Sequence, residues 1–155
     1  GLVGSEMCIR DRGGMSALII GTGIDITDIT RIAIMLRRDN FIKKIYTPVE
    51  QEYLSSKKMN AQSAAGIFAV KEACSKALGT GVRNMAWTDI EVRHDQLGRP
   101  YALLYNNARE LFEKLGGQSI HISISHERFF AVAQCVLEGE GQNEKYCKRA
   151  ADAGD

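Results

Sequence analysis

The feature that most constrains this fold is the run 61–78, which is almost free of helix breakers; Gly66 is the only exception. Most of its residues are good helix formers. Asn60 is placed to cap the N-terminus through its side-chain oxygen, and with Ser63 at the third helical position there is no full capping box. Gly79 and Gly81 follow the last apolar residue, where a left-handed C-cap is expected. Within 68–81, FAVKEACSKALGTG, the residues Phe68, Glu72 and Lys76 follow i, i+4, i+8 and share one helical face. Glu72 four residues ahead of Lys76 is the favourable order for a plain surface ion pair, and most such pairs are structural. The alternative is a metal-binding carboxylate beside a phosphate-binding lysine. That reading needs a second carboxylate from elsewhere in the chain.

The length of 155 residues fits one domain. Lys and Arg number 20 against 19 acids, a net charge of +1 that gives no whole-chain attraction to nucleic acid or to a membrane surface. No apolar run approaches the ~20 residues of a membrane span. Aromatic–basic interleaving is missing, and the GTG at 79–81 is not followed by the Gly-Lys-Ser/Thr of a P-loop. Neither nucleic acid nor membrane is therefore an expected partner. The four cysteines show no CxxC spacing and no histidine at a zinc-finger interval. They read as free thiols in a reducing compartment, the cytoplasm, with Cys74 and Cys135 buried.

Residues 1–14, GLVGSEMCIRDRGG, lack a sustained period and the apolar segment of a secretory signal. They read as a non-native leader before a natural start at Met15, a short native arm being the alternative. Residues 17–26, ALIIGTGIDI, read as a strand in which Gly21 and Gly23 mark a bulge or a close backbone approach. The third small residue of a dinucleotide fingerprint would fall on Ile26, which excludes that motif. Asp25 points away from the face shared by Ile24 and Ile26. It is either a solvent-facing acid or cap, or a carboxylate projecting into a site. Asp28 then opens a helix with Ile29, Ile32, Ala33 and Leu36 as its core stripe. Arg31, Arg37 and Arg38 fall away from that stripe, either as a solvated face or as a surface for an acidic partner.

Residues 41–46 read as a helical turn, and Thr47-Pro48-Val49-Glu50 as a helix start with Thr as N-cap, Pro at the first position and Glu at the third, the pattern of a capping box. Residues 87–94 and 99–105 are expected to form a hairpin, with Pro100 at an edge or initiating position. Asn107 is the expected cap of a short helix facing Leu111, Phe112 and Leu115 inward and ending at Gly116-Gly117. Residues 119–125, SIHISIS, alternate cleanly and should pair antiparallel with 129–137, FFAVAQCVL, whose more continuous apolar character fits a buried strand. His126 sits at the mouth of that hairpin near Ser123 and Ser125, as a surface histidine or a phosphate contact. Residues 139–155 have little to bury and are expected to be a disordered tail, leaving 15–138 as the domain.

Five stretches together resemble the holo-acyl-carrier-protein synthases, the short type of 4′-phosphopantetheinyl transferase: GTGIDITDITRI (21–32), FIKKIYTPVE (41–50), FAVKEACSKALGTG (68–81), WTDIEVRHDQLGRP (87–100) and HISISHERFFAVA (121–133). They occur in the family's order and cover 18–137. The resemblance implies an α+β fold, with an antiparallel sheet packed on a long central helix in a half-sized unit that trimerises, its active sites between subunits. It also implies transfer of phosphopantetheine from coenzyme A to a serine of apo-acyl carrier protein, releasing adenosine 3′,5′-bisphosphate, in support of fatty acid biosynthesis. Asp25 and Glu72 match the metal ligands, for Mg²⁺ with Mn²⁺ as the alternative. Lys76 matches a catalytic, phosphate-binding lysine. Gly79, Thr80 and Gly81 match the glycine segment near the cofactor, His126 a histidine near its nucleotide end, and Arg31 a residue that meets the carrier protein. One departure from the pattern is Ile67, where many members carry Arg for a phosphate contact. A catalytically silent subunit that binds coenzyme A or a nucleotide is the competing reading.

Overall fold

The computed structural model describes residues 17–79 and 84–140. The expected leader lies outside the described residues, as does the expected tail beyond Glu140. In chain order the elements are β1 (Leu18–Asp28), α1 (Ile29–Met35), α2 (Asp39–Ile45), α3 (Pro48–Ser56), α4 (Ala61–Ala77), a 3₁₀ turn (Trp87–Asp89), β2 (Ile90–His94), β3 (Pro100–Leu104), α5 (Asn106–Lys114), β4 (Gly117–His126) and β5 (Phe130–Gly139). The strands form a three-stranded antiparallel sheet in the order β1-β5-β4 and a separate β2-β3 hairpin. The fold is α+β, with α4 lying across the inner face of the larger sheet.

The ends of α4 are set by its flanking residues. The Asn60 side-chain oxygen accepts from the backbone N–H groups of Gln62 (2.8 Å) and Ser63 (3.2 Å), and Gly79 takes the left-handed conformation with φ +87°. Along the helix Ala65, Ala69, Ala73 and Ala77 form an i, i+4 ridge of small buried residues. Opposite the ridge, β1 presents Gly21 and Gly23. A Cβ at Gly21 would stand 2.1 Å from the Ala77 carbonyl oxygen, and one at Gly23 1.9 Å from that of Ala73. Only glycine permits this approach, which is the reason for the two glycines in the strand.

Register fixes which side chains meet α4. Asp25 pairs with Ala133 and Thr27 with Ala131, so these residues share the inner face with Gly23 and Cys135. Ile24 and Ile26, 63% and 64% exposed, lie on the outer face with Phe130. Cys74 and Cys135 are buried, as expected.

A charged pair ties the remaining elements to α4. Glu50 and Lys71 are both fully buried and 2.7 Å apart. Lys71 Nζ also donates to the carbonyls of Trp87 (3.0 Å) and Ile90 (2.5 Å). Glu50 accepts from the N–H groups of Thr47 (2.8 Å) and Val92 (2.7 Å), completing the expected capping box and reaching β2. Burial pushes Lys71 down and Glu50 up, each opposed by the partner's charge.

Four local expectations change. Ala33 is exposed, because α1 stops at Met35 and only Ile29 and Ile32 are buried on it. Residues 87–89 form a 3₁₀ turn before β2, held by the Asp89 carboxylate accepting from the Ala86 N–H at 3.1 Å. Helix α5 begins at Asn106, not after Asn107, because the Asn106 side chain is drawn to Asp89 (3.1 Å). Strand β5 alternates inner buried with outer half-exposed residues and is covered on one face within the chain.

Gly23→Ala is expected to cost about 3 kcal/mol by forcing the sheet off the helix backbone. Its thermal midpoint should fall by roughly 6–12 °C. Glu52→Ala on the exposed side of α3 should move it within the noise of surface substitutions. Equal midpoints for the two variants would contradict the close-approach account.

Candidate active site

Strand alternation turns Asp25 toward the C-terminal half of α4, where its side chain retains 15% exposure. It is therefore not a solvent-facing acid. Its Oδ2 accepts a hydrogen bond from the Thr27 hydroxyl at 2.7 Å, and its Oδ1 lies 3.4 Å from Lys76 Nζ. Lys76 also donates to the Ile24 carbonyl at 2.9 Å. The expected surface pair between Glu72 and Lys76 gives way to this reach across to β1, because α4 lies so close to the strand.

Glu72 is half-buried beside these groups. Burial raises its pKa first, and the negative charge of Asp25 raises it further; Lys76 and Arg31 pull it back. Asp25, Glu72, Lys76 and Arg31 are thus one electrostatic cluster contributed by β1, α4 and α1. Two carboxylates held together against their repulsion are suited to a hard divalent cation, and both offer only oxygen. Among the described residues no group of three or more His, Cys, Asp and Glu could hold a metal ion. Asp25 and Glu72 could contribute one side chain each to a cation of the Mg²⁺ type, which keeps waters and takes substrate oxygens beside few protein ligands.

Gly79 closes α4 just beyond Lys76 and is exposed, and among the described residues beyond its chain neighbours none comes within 4 Å of where a Cβ would stand. Thr80 and Gly81 lie outside the described residues. His126 is placed elsewhere. It lines a groove of about 200 Å³ with Ser63, Gly66, Ile67, His94 and Pro100, against the N-terminal half of α4. It pairs with Ala131 and faces inward, whereas Ser125 pairs with Val132 and Ser123 with Gln134 on the outer face. The expected grouping of His126 with the two serine hydroxyls is therefore not formed. From Gly66 to Glu72 is about 9 Å along the helix axis, so one chain carries the acidic cluster and the His126 groove as separate features.

Sequence reasoning missed Thr27 and His94. Thr27 shares strand parity with Asp25, a signal that was available. His94 stacks on Tyr53 with ring centroids 4.0 Å apart and interplanar angle 10°. Its pKa is pushed down by burial and then by Lys57. No periodicity marks such a position.

Residues 21–135 match the 4′-phosphopantetheinyl transferase superfamily, and the chain belongs to it. Its relatives within that superfamily include holo-[acyl-carrier-protein] synthases. The one from Clostridium perfringens is 44% identical over 128 residues, 79% of this chain and 96% of the relative. That from Alkaliphilus oremlandii is 47% identical over 120 residues, 77% and 98% of the two chains. A crystal structure of a holo-(acyl-carrier-protein) synthase from Bacillus anthracis in complex with CoA (3′,5′-ADP) superposes with a TM-score of 0.65 at 40% identity, over 78% of this chain and 97% of that one. The corresponding enzyme from Neisseria meningitidis gives 0.72 at 30% identity, over 77% and 98%.

The cluster carries a stability consequence. In the folded chain Glu72 holds its proton to higher pH than the ordinary carboxylate value of 4.5. Its ionisation therefore weakens the folded state as pH rises from 4.5 through the raised value. Without added metal, Glu72→Gln should have a higher thermal midpoint than the wild type at pH 7, with the two converging below pH 4.5. A lower midpoint for the variant at pH 7 would overturn this.

Proposed function

We propose that the chain transfers 4′-phosphopantetheine from coenzyme A to a serine of apo-acyl carrier protein and acts in fatty acid biosynthesis in the cytoplasm. The observation that carries this reading is the convergence of Asp25, Glu72 and Lys76 across β1 and α4. In the reaction the carrier's serine oxygen bonds to the phosphorus that bears pantetheine. The bond from that phosphorus to the bridging oxygen breaks, and adenosine 3′,5′-bisphosphate leaves; the serine proton passes to a base. Asp25 and Glu72 would hold Mg²⁺, which neutralises charge on the diphosphate when bound. Lys76, 52% exposed at its side chain, is a compact cation free to swing from Asp25 to a phosphate oxygen. Gly79 offers backbone beside it. Arg31 is exposed on α1 at the edge of the cluster, where an acidic carrier would meet it.

His126 would take the nucleotide end of coenzyme A in its groove. The acidic cluster and this groove come together in a homotrimer with interfacial sites. Two features support that arrangement: the separation of the two along α4, and the outer sheet face, where Ile24, Ile26 and Phe130 are uncovered within one chain. A silent binding subunit gains nothing from two carboxylates held together, and the reading is set aside on that ground.

Incubation with coenzyme A, Mg²⁺ and an apo-acyl carrier protein should add one phosphopantetheine to the carrier by intact-protein mass spectrometry. Chelation, Asp25→Asn or Glu72→Gln should abolish the gain. No gain with several carriers would overturn the assignment.

Subunit mixing tests the interfacial site. Glu72→Gln and His126→Ala chains, each inactive alone, should regain part of the activity when unfolded and refolded together. No recovery, with mixed trimers present by native mass spectrometry, would place both residues in one subunit's site.

A further inference from the structure

We propose that Thr27 is a positioning residue for the transfer reaction, its hydroxyl fixing the orientation of the Asp25 carboxylate toward a divalent cation; this rests on the metal reading above. The Asp25 side chain ends in a torsion with broad preferences, so the strand backbone does not settle where its two oxygens point. Two contacts settle it. Thr27 Oγ1 donates to Oδ2 at 2.7 Å, and Lys76 Nζ lies 3.4 Å from Oδ1.

These contacts are unequal. Lys76 is half-exposed at the end of a flexible chain, and in the proposed reaction it leaves Asp25 for a phosphate oxygen. Thr27 is 4% exposed, lies on the inner face of β1 opposite Ala131, and its branched side chain is stiff at χ1. A carboxylate has only acceptors, so the single hydroxyl proton must point to Oδ2. A short hydrogen bond to an ionised acceptor is among the stronger ones. Once the lysine has turned away, the threonine contact remains and keeps one oxygen committed. The other is Oδ1, the oxygen that Lys76 approaches at 3.4 Å and then vacates. Groups that orient a metal's ligands in this way typically change metal affinity 10–100-fold when removed.

The test measures Mn²⁺ binding by electron paramagnetic resonance, with coenzyme A present and no carrier protein, so that no turnover occurs. Four variants are compared with wild type: Thr27→Val, Thr27→Ser, Thr27→Ala and Asp25→Asn. Valine keeps the shape and removes the hydroxyl. Serine and alanine both lack the threonine methyl and differ only in the hydroxyl, which separates orientation from loss of the methyl even if valine disturbs the strand. The expected result is Mn²⁺ binding weakened about 10-fold in Thr27→Val and Thr27→Ala, with Thr27→Ser close to wild type. In turnover, the Mn²⁺ concentration for half-maximal rate should rise in the same order, more than kcat falls at saturating metal. Wild-type binding in Thr27→Ala and Thr27→Val, or serine as weak as alanine, overturns the proposal while loss of binding in Asp25→Asn leaves the metal reading standing. Wild-type binding in Asp25→Asn overturns both.

Discussion

Because Gly21 and Gly23 carry no Cβ, β1 lies directly against the backbone carbonyls of Ala77 and Ala73, and the position of the proposed site follows from that contact. Glu72 and Lys76 immediately precede those two alanines. Asp25 comes two residues after Gly23 on the same face of the strand. The closest approach of strand and helix is thus also the point where two carboxylates and an ammonium meet. With larger residues on either side, the sheet would stand off and Lys76 would be left to pair with Glu72 on a surface. The small residues serve packing and geometry at once, since Ala131 and Ala133 continue the same flat surface on β5.

The rotational setting of α4 is visible in two adjacent side chains. Lys71 points into the interior toward Glu50 and the carbonyls at the start of β2, while Glu72 points to the edge of β1. A buried pair of this kind contributes little net stability against a well-packed apolar alternative, but breaking it by removing one partner typically costs about 3–5 kcal/mol. Here every polar atom of the pair is engaged by groups from α3, the 3₁₀ turn and β2. Rotating the helix by one residue would strand Lys71 and misplace Glu72 together. The buried charge of Lys71 and the proposed metal-binding charge of Glu72 are therefore coupled through the helix backbone.

Much of this was legible in the sequence because the deciding signals are local. The caps of α4, the capping box at Thr47–Glu50 and the opposition of Asp25 to Ile24 and Ile26 each follow from residue type and period alone; which of the two strand faces turns outward does not. The glycines of β1 announced a close approach, although not what approached. Orientation beyond an expected element boundary was not legible. A strand over 119–125 leaves His126 in the link beside the serines. The strand runs one residue further, so parity places His126 with Ile120, Ile122 and Ile124. Asn107 lost its cap role for a similar reason, a tertiary bond from Asn106 to Asp89 moving the helix start. Lys71 was opaque in another way. A lysine in a helix reads as exposed unless its buried partner is known, and Glu50 reads as part of a helix cap.

The proposed assembly resolves an imbalance within the single chain. The inner face of the sheet is closed by α4, whereas the outer face leaves branched and aromatic side chains in water. Ile24 and Ile26 are more than 60% exposed directly behind Asp25. A strand that turns its acid inward must turn its apolar neighbours outward, because alternation allows nothing else. The arrangement that builds the acidic cluster therefore also creates the apolar surface that favours association. A groove holding His126 and a cluster holding Glu72, displaced along one helix, are what each subunit of a symmetric assembly would present to different neighbours. Closing such an assembly would bury the outer isoleucines and complete a site with the same set of contacts.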